Sequence, residues 1–258
     1  KKLLLYLLSV IVLVSCNSSA ANSPDTFLLN RDDAKKNPAI DALLKESSEL
    51  RQSDPQQAID FAKRALDAAN AAKDDFYCAT AWVSVGSAEY YAKDLAEAEN
   101  SYKRALELFR QTKNDEGCVR VLRNLVLLAD QNGYQKERVR YINQMEEISE
   151  NSSSEIVKLI TYNALGNLYY DLGDLPKAFE NHLMASQFRG DNVLLISTLN
   201  DLGNVYTNMG KYNEAIGCYE RIINTNVSEF EPISRANALS NLGDVYAMMG
   251  NNSKAVQT

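Results

Sequence analysis

From about residue 38 to the end of this 258-residue chain, apolar residues recur at helical spacing between polar turns. Tyr162, Leu165 and Tyr169 fall three and four apart, and Ala58, Ala62 and Ala65 do the same. That spacing places side chains on one face of a 3.6-residue helix. Ala178 and Ala185, two turns apart, mark the next stretch. Gly133, Gly173, Gly210 and Gly250 close such stretches, where a left-handed cap costs glycine little. Asp54, Asp94 and Asp174 stand where the following helix begins and are predicted to cap it, with Pro55 at a first helical position that needs no N–H. The pattern predicts pairs of amphipathic helices joined by tight turns.

The pairs repeat. Leu165-Gly166-Asn167-Leu168-Tyr169, then Gly173 and Ala178, returns as Leu202-Gly203-Asn204-Val205-Tyr206, then Gly210 and Ala215. It returns again as Leu242-Gly243-Asp244-Val245-Tyr246, then Gly250 and Ala255. Weaker copies lie upstream: Trp82, Val85, Gly86, Ala98, Tyr102 and Ala105; Leu122, Leu125, Ala129 and Gly133; and Ala58, Ala62 and Ala65. Successive copies fall 40 residues apart except for one interval of 37. A hairpin of this kind cannot bury its apolar face alone, and stacking on its neighbours does so.

The L-G-x-x-Y core with its downstream alanine resembles the tetratricopeptide repeat (TPR). The resemblance covers residues 38 to 258. It implies an all-α fold, a right-handed superhelix (α-solenoid) of antiparallel helix hairpins, with about six repeats of about 40 residues and the last one truncated. The period exceeds the family's usual 34, and Arg110, Glu150 and Gly190 stand where the family has proline. The helices are therefore expected to be long, as in members such as the kinesin light chains. Gly166, Gly203 and Gly243 are expected where the paired helices approach closely, and His182 stands where the family packs an aromatic ring. Core packing or a satisfied hydrogen bond is expected of that imidazole, the chain's only histidine.

The first residues follow another pattern. Lys1 and Lys2 precede a run from Leu3 to Val14 that is apolar apart from Tyr6 and Ser9; Ser15, Cys16 and a polar stretch follow. This is the layout of a secretory signal, and the run is short for a ~30 Å bilayer core. Leu13-Val14-Ser15-Cys16 resembles a bacterial lipobox, which implies that Cys16 is lipidated and becomes the mature N-terminus. An ordinary signal peptide with a chance cysteine is the alternative. The expected organisation is a signal peptide over 1–16, a flexible tether over 17–37 and the repeat array over 38–258, in a protein of the bacterial envelope, periplasmic or surface-facing.

Charge narrows the partners. A formal net charge of -7 points away from nucleic acid, which requires a cationic surface. It also disfavours an anionic membrane as the ligand of the folded part, leaving the N-terminal lipid as the expected membrane contact. No phosphate loop, nucleophile elbow or zinc-like spacing is present, so neither an enzyme nor a cofactor or metal is expected. Cys78, Cys118 and Cys218 are expected to be buried thiols.

In the TPR family the first helices line a groove that holds a protein or an extended peptide. The register places Asn163, Asn167, Tyr170, Asp171, Asn200, Asn204, Thr207 and Asn208 on that face in the fourth and fifth repeats, and Asn237, Ser240 and Asp244 in the sixth. Asparagine offers a donor and an acceptor and can pair with a peptide backbone whatever its side chains. These residues are either such a ladder or a solvated polar face. Arg120 and Arg123 in the third repeat are either a grip for a carboxylate or a charged face paired with nearby acids. Tyr90 and Tyr91 in the second are either aromatic anchors or packing against the neighbouring helix.

The expected function is a lipid-anchored scaffold or adaptor. A second possibility is the periplasmic sensor of a membrane-spanning regulator, a histidine kinase or a helix-turn-helix protein, whose output domain would follow Thr258.

Overall fold

A computed structural model describes residues 36–188, 192–225 and 231–257. Cys16, the signal segment and nearly all of the tether lie outside these residues. The described chain is helical without strands. In order, the helices are α1 (Pro38–Leu50), α2 (Pro55–Ala72), α3 (Asp75–Tyr91), α4 (Leu95–Gln111), α5 (Asp115–Gln131), α6 (Gln135–Asn151), α7 (Glu155–Asp171), α8 (Leu175–Ala185), α9 (Asn192–Asn208), α10 (Tyr212–Asn224), α11 (Glu231–Met248) and α12 (Asn252–Gln257). Odd-numbered helices are the first of each hairpin and even-numbered ones the second. The chain divides into two compact units at Val139 and Arg140.

Long helices are expected, and α3 to α7 each run 17 residues. Helices α1 and α10 are shorter, with 13 residues each, and α8, with 11, lies inside the interval of 37. Caps set the starts. Asp54 accepts from the Gln57 N–H at 3.0 Å and Asp174 from the Lys177 N–H at 3.3 Å. Asn114 accepts from the Gly117 N–H at 2.8 Å. Asp94 departs from expectation: it occupies the N-cap position but makes no side-chain capping bond. Asn37, which the sequence pattern assigns to the tether, caps α1 and donates its backbone N–H to the Tyr77 hydroxyl at 2.8 Å. The turns after α3, α7 and α9 each place a residue in the left-handed region, Lys93 (φ 70°), Gly173 (φ 76°) and Gly210 (φ 71°) respectively.

Unit 1 is built from α1 to α5 and the start of α6. Ile40, Leu44, Leu66, Tyr77 and Ala81 share one core cluster. Helix α3 is buried almost all round, with α1, α2 and α4 packed against it. In unit 2, Ile196, Leu199, Tyr219, Ile222, Leu242 and Val245 form the corresponding cluster across α9, α10 and α11.

Both units use the same close contact within a hairpin. A Cβ built on Gly86 would lie 2.9 Å from the ring of Tyr102. On Gly166 it would lie 2.6 Å from His182, and on Gly203 2.6 Å from Tyr219. Any side chain there overpacks a core that has no room to yield. Cys78, Cys118 and Cys218 are buried free thiols, and burial pushes the latter two up to about 11.

Candidate peptide-binding face

The groove-lining positions lie three residues before the hairpin glycine, one after it and four to five after it. In unit 2 they carry amides, and most of those amides are engaged. Asn163 is fully buried. Its Nδ2 donates to Thr198 Oγ1 at 3.1 Å and to Asp201 Oδ2 at 3.2 Å on α9, and its Oδ1 accepts from Asn167 Nδ2 at 3.5 Å. Asn241 on α11 repeats the contact one hairpin on, donating to Asn200 Oδ1 at 2.9 Å and to Asn204 Oδ1 at 3.5 Å. Asn208 Nδ2 donates to the Tyr170 hydroxyl at 2.6 Å. Thr207 turns back onto its own helix, donating to the Gly203 carbonyl at 2.9 Å.

The contacts obey one register. Asn163 meets Asp201 and Tyr170 meets Asn208 at a separation of 38 residues, across the interval of 37. Asn200 meets Asn241 at 41, across an interval of 40. Each pair therefore lies one residue beyond the repeat length. In unit 1 the same offset pairs Tyr90, whose hydroxyl accepts from Gln131 Nε2 at a separation of 41.

Part of the amide row stays unspent. Asn200 and Asn204 use their carbonyl oxygens, Asn204 also accepting from the Tyr219 hydroxyl at 2.9 Å. Their Nδ2 groups have no protein partner among the described residues. Both side chains are half-buried, one helical turn apart on α9, with Asn208 exposed beyond them. In the sixth repeat Asn237, Ser240 and Asp244 are exposed.

Two TPR models match the chain by sequence, one over residues 157–226 and 194–258 and the other over 79–112. The chain belongs to the tetratricopeptide repeat family. No curated protein matches this TPR chain by sequence. Among solved structures it is similar to BtubC (BKLC) from P. vanneervenii, with 19% identity, a TM-score of 0.62 and coverage of 86% of this chain and 88% of that one. It is similar to the apo form of RapI, with 19% identity, a TM-score of 0.56 and coverage of 83% and 70%. It also resembles a signal transduction ATPase with numerous domains and a TPR sensor from Pyrococcus horikoshii, with 16% identity, a TM-score of 0.60 and coverage of 84% of this chain but 35% of that one. These likenesses show the fold.

The corresponding face of unit 1 is different. Tyr90 is buried, stands edge-on to Tyr91 with ring centroids 5.5 Å apart and is tied to α5 through Gln131. Tyr91 accepts from Gln52 Nε2 at 3.4 Å and lies beneath the Arg51 guanidinium. Packing against neighbouring helices thus occupies both rings. Arg120 is buried and pairs with Glu116 at 3.0 Å on its own helix. Arg123, one turn on, is half-buried.

His182 packs without a hydrogen bond. Its ring is fully buried against Gly166, and neither imidazole nitrogen has a partner among the described residues. Burial alone pushes it down to about 4, so the ring is neutral at pH 7. It is a core residue of the TPR hairpin.

Sequence reasoning misses Thr198, Asp201, Asn241 and Gln131. For Asp201, Asn241 and Gln131 the signal is present as the register offset of one residue beyond the repeat length, which shows only when positions in adjacent repeats are compared diagonally.

Proposed function

We propose that this TPR array is a protein-binding scaffold that holds an extended polypeptide along the face formed by α7, α9 and α11. The observation that carries the reading is the pair of unspent amide donors on Asn200 and Asn204, supported from beneath by oxygens already fixed to Asn241 and Tyr219. A donor held at a fixed angle by its own carbonyl's hydrogen bonds is preorganised, which lowers the entropy lost on binding. Amide N–H groups one turn apart, ~6 Å, on the middle helix of the face can both reach the backbone of a strand that crosses that helix. Cys16 carries the lipid in this reading, and the tether holds the scaffold at the envelope membrane.

The test is partner capture from envelope extracts by wild type and by the Asn200→Ala/Asn204→Ala double variant, with circular dichroism confirming that both are folded. The proposal predicts loss of the captured protein. Equal capture by both would remove the groove from the account and point to the outer helices. For the anchor, Cys16→Ser should move the protein from the membrane to the soluble fraction and abolish labelling by a radioactive fatty acid.

The second reading is a sensor within a larger regulator, as the P. horikoshii ATPase is a signal transduction protein with a TPR sensor of its own. It predicts that peptide binding changes the output of a domain encoded downstream.

A further inference from the structure

The charge of the α7/α9/α11 face selects among extended ligands, and this inference rests on the groove reading above. Asp171 and Asp244 are exposed on this face, and Asp201 lies just beneath it. Helix α9 carries no lysine or arginine at all. The cations of the other two helices are Lys158 on α7 and Arg235 on α11. Lys158 stands nine residues before Asn167, and Arg235 nine before Asp244. Nine residues make two and a half helical turns, so each cation lies on the opposite side of its helix from the face. Tyr170 adds a half-buried ring among these acids. Asp201 and Asp171 both lie close enough to oppose ionisation of its hydroxyl, after burial, which is the larger effect. A tyrosine ring flanked by carboxylates favours an ammonium or guanidinium group within ~6 Å of its centre.

We infer that this face binds an extended peptide segment bearing lysine or arginine side chains, with Asp171 and Asp244 as its charge contacts and the Asn200 and Asn204 amides on its backbone. Adjacent first helices stand ~10 Å apart, so the face from α7 to α11 spans ~20 Å. At ~3.3 Å per residue, six extended residues cross it. Side chains of alternate residues point the same way along such a segment, so a ligand with a cation at every second position meets both acidic ends.

The test uses three fluorescein-labelled octapeptides, of alternating lysine and alanine, glutamate and alanine, and serine and alanine. Affinity is read by fluorescence anisotropy on the full chain at two salt concentrations. The lysine peptide should bind at least tenfold more tightly than the serine peptide, and the glutamate peptide should not bind. Asp171→Asn/Asp244→Asn should weaken the lysine peptide at least tenfold. Glu180→Gln/Glu214→Gln, the same change of net charge on α8 and α10, should leave it within twofold. Two results overturn the inference while leaving the groove reading in place: serine and lysine peptides of equal affinity, both weakened by Asn200→Ala/Asn204→Ala, or preference for the glutamate peptide. Equal weakening by the two acid-to-amide pairs also overturns it, since attraction would then follow net charge rather than this face. Absence of binding by all three peptides overturns both the inference and the groove reading.

Discussion

The two units stack the same hairpin in two different chemistries. At the position three residues before the hairpin glycine, unit 1 has Val83 and unit 2 has Asn163, and both are buried. At the aromatic position unit 1 has Tyr102, whose hydroxyl lies 3.1 Å from Ser87 Oγ, while the first complete hairpin of unit 2 has His182 with no bond. Around Val83, unit 1 closes its first-helix face with apolar area and ring contacts, which tolerate small displacements because they have no direction, beside the one Gln131–Tyr90 bond. Unit 2 closes it with amides, a threonine and a carboxylate, whose worth depends on every member being satisfied. The fold therefore does not require an amide at this position. An amide row kept where valine would serve is a cost that binding can explain, and the unspent Nδ2 groups lie in unit 2. Acid should separate the units most sharply.

The largest expected effect comes from His182. Its imidazole is held down to about 4 in the folded chain against an ordinary 6.5. The unfolded chain takes up the proton first as pH falls. Stability is therefore unaffected above about 6.5, declines between about 6.5 and 4 and is fully reduced below 4, by about 3 kcal/mol in all. The only tryptophan, Trp82, sits in unit 1, so its fluorescence reports that unit while circular dichroism reports both. Between pH 6.5 and 4.5 the helical signal should become easier to unfold with urea before Trp82 emission does. Coincident loss of both signals would sink the assignment of acid lability to unit 2.

Next comes the amide row itself. Asn163→Val copies unit 1 into unit 2. It removes both donors to Thr198 and Asp201, and a deprived buried acceptor costs about 2 kcal/mol or more. The urea midpoint should fall accordingly. In Val83→Ala the loss has another cause, a small cavity in an apolar face, and should be about 1 kcal/mol. If Asn163→Val proves neutral, the row is not a structural clasp and all of its polarity is available to a ligand.

Sequence shows the hairpins because their determinants are local. Helical spacing, Asp54, Asp174 and the left-handed glycines act within a few residues of themselves, and the contacts of Gly166 and Gly203 recur within one hairpin. The interior of the groove face is less legible because it depends on how one first helix crosses the next. The register puts Asn163, Asn200 and Tyr170 on the right face, but the partners Asp201, Asn241 and Asn208 follow from a diagonal offset that a repeat alignment does not display. Arg120 and Arg123 look like one pair in sequence, yet Arg120 is taken by Glu116, one turn away on the same helix. For His182 the packing is foreseeable and the missing hydrogen bond is not. Which atoms meet a buried ring depends on neighbours whose identity varies between repeats.

That variation supplies the smallest prediction. Tyr102 and Tyr219 both lie against a hairpin glycine, and each hydroxyl meets the side chain of the residue after it, Ser87 or Asn204. In the fourth repeat the residue after the glycine is Asn167, half-buried beside His182. The hydroxyl introduced by His182→Tyr should therefore reach the Asn167 side chain, in a space that equivalent hairpins already give to tyrosine. The change exchanges two imidazole nitrogens without partners for one satisfied hydroxyl. A net hydrogen bond contributes about 1 kcal/mol, so the melting temperature at pH 7 should rise by a few degrees, and the acid-dependent step assigned to His182 should disappear. Asn167→Ala in the same background should cancel the gain in stability without restoring the acid step. A melting temperature that falls would mean that the fourth hairpin is narrower than its neighbours, and that histidine is there because tyrosine does not fit.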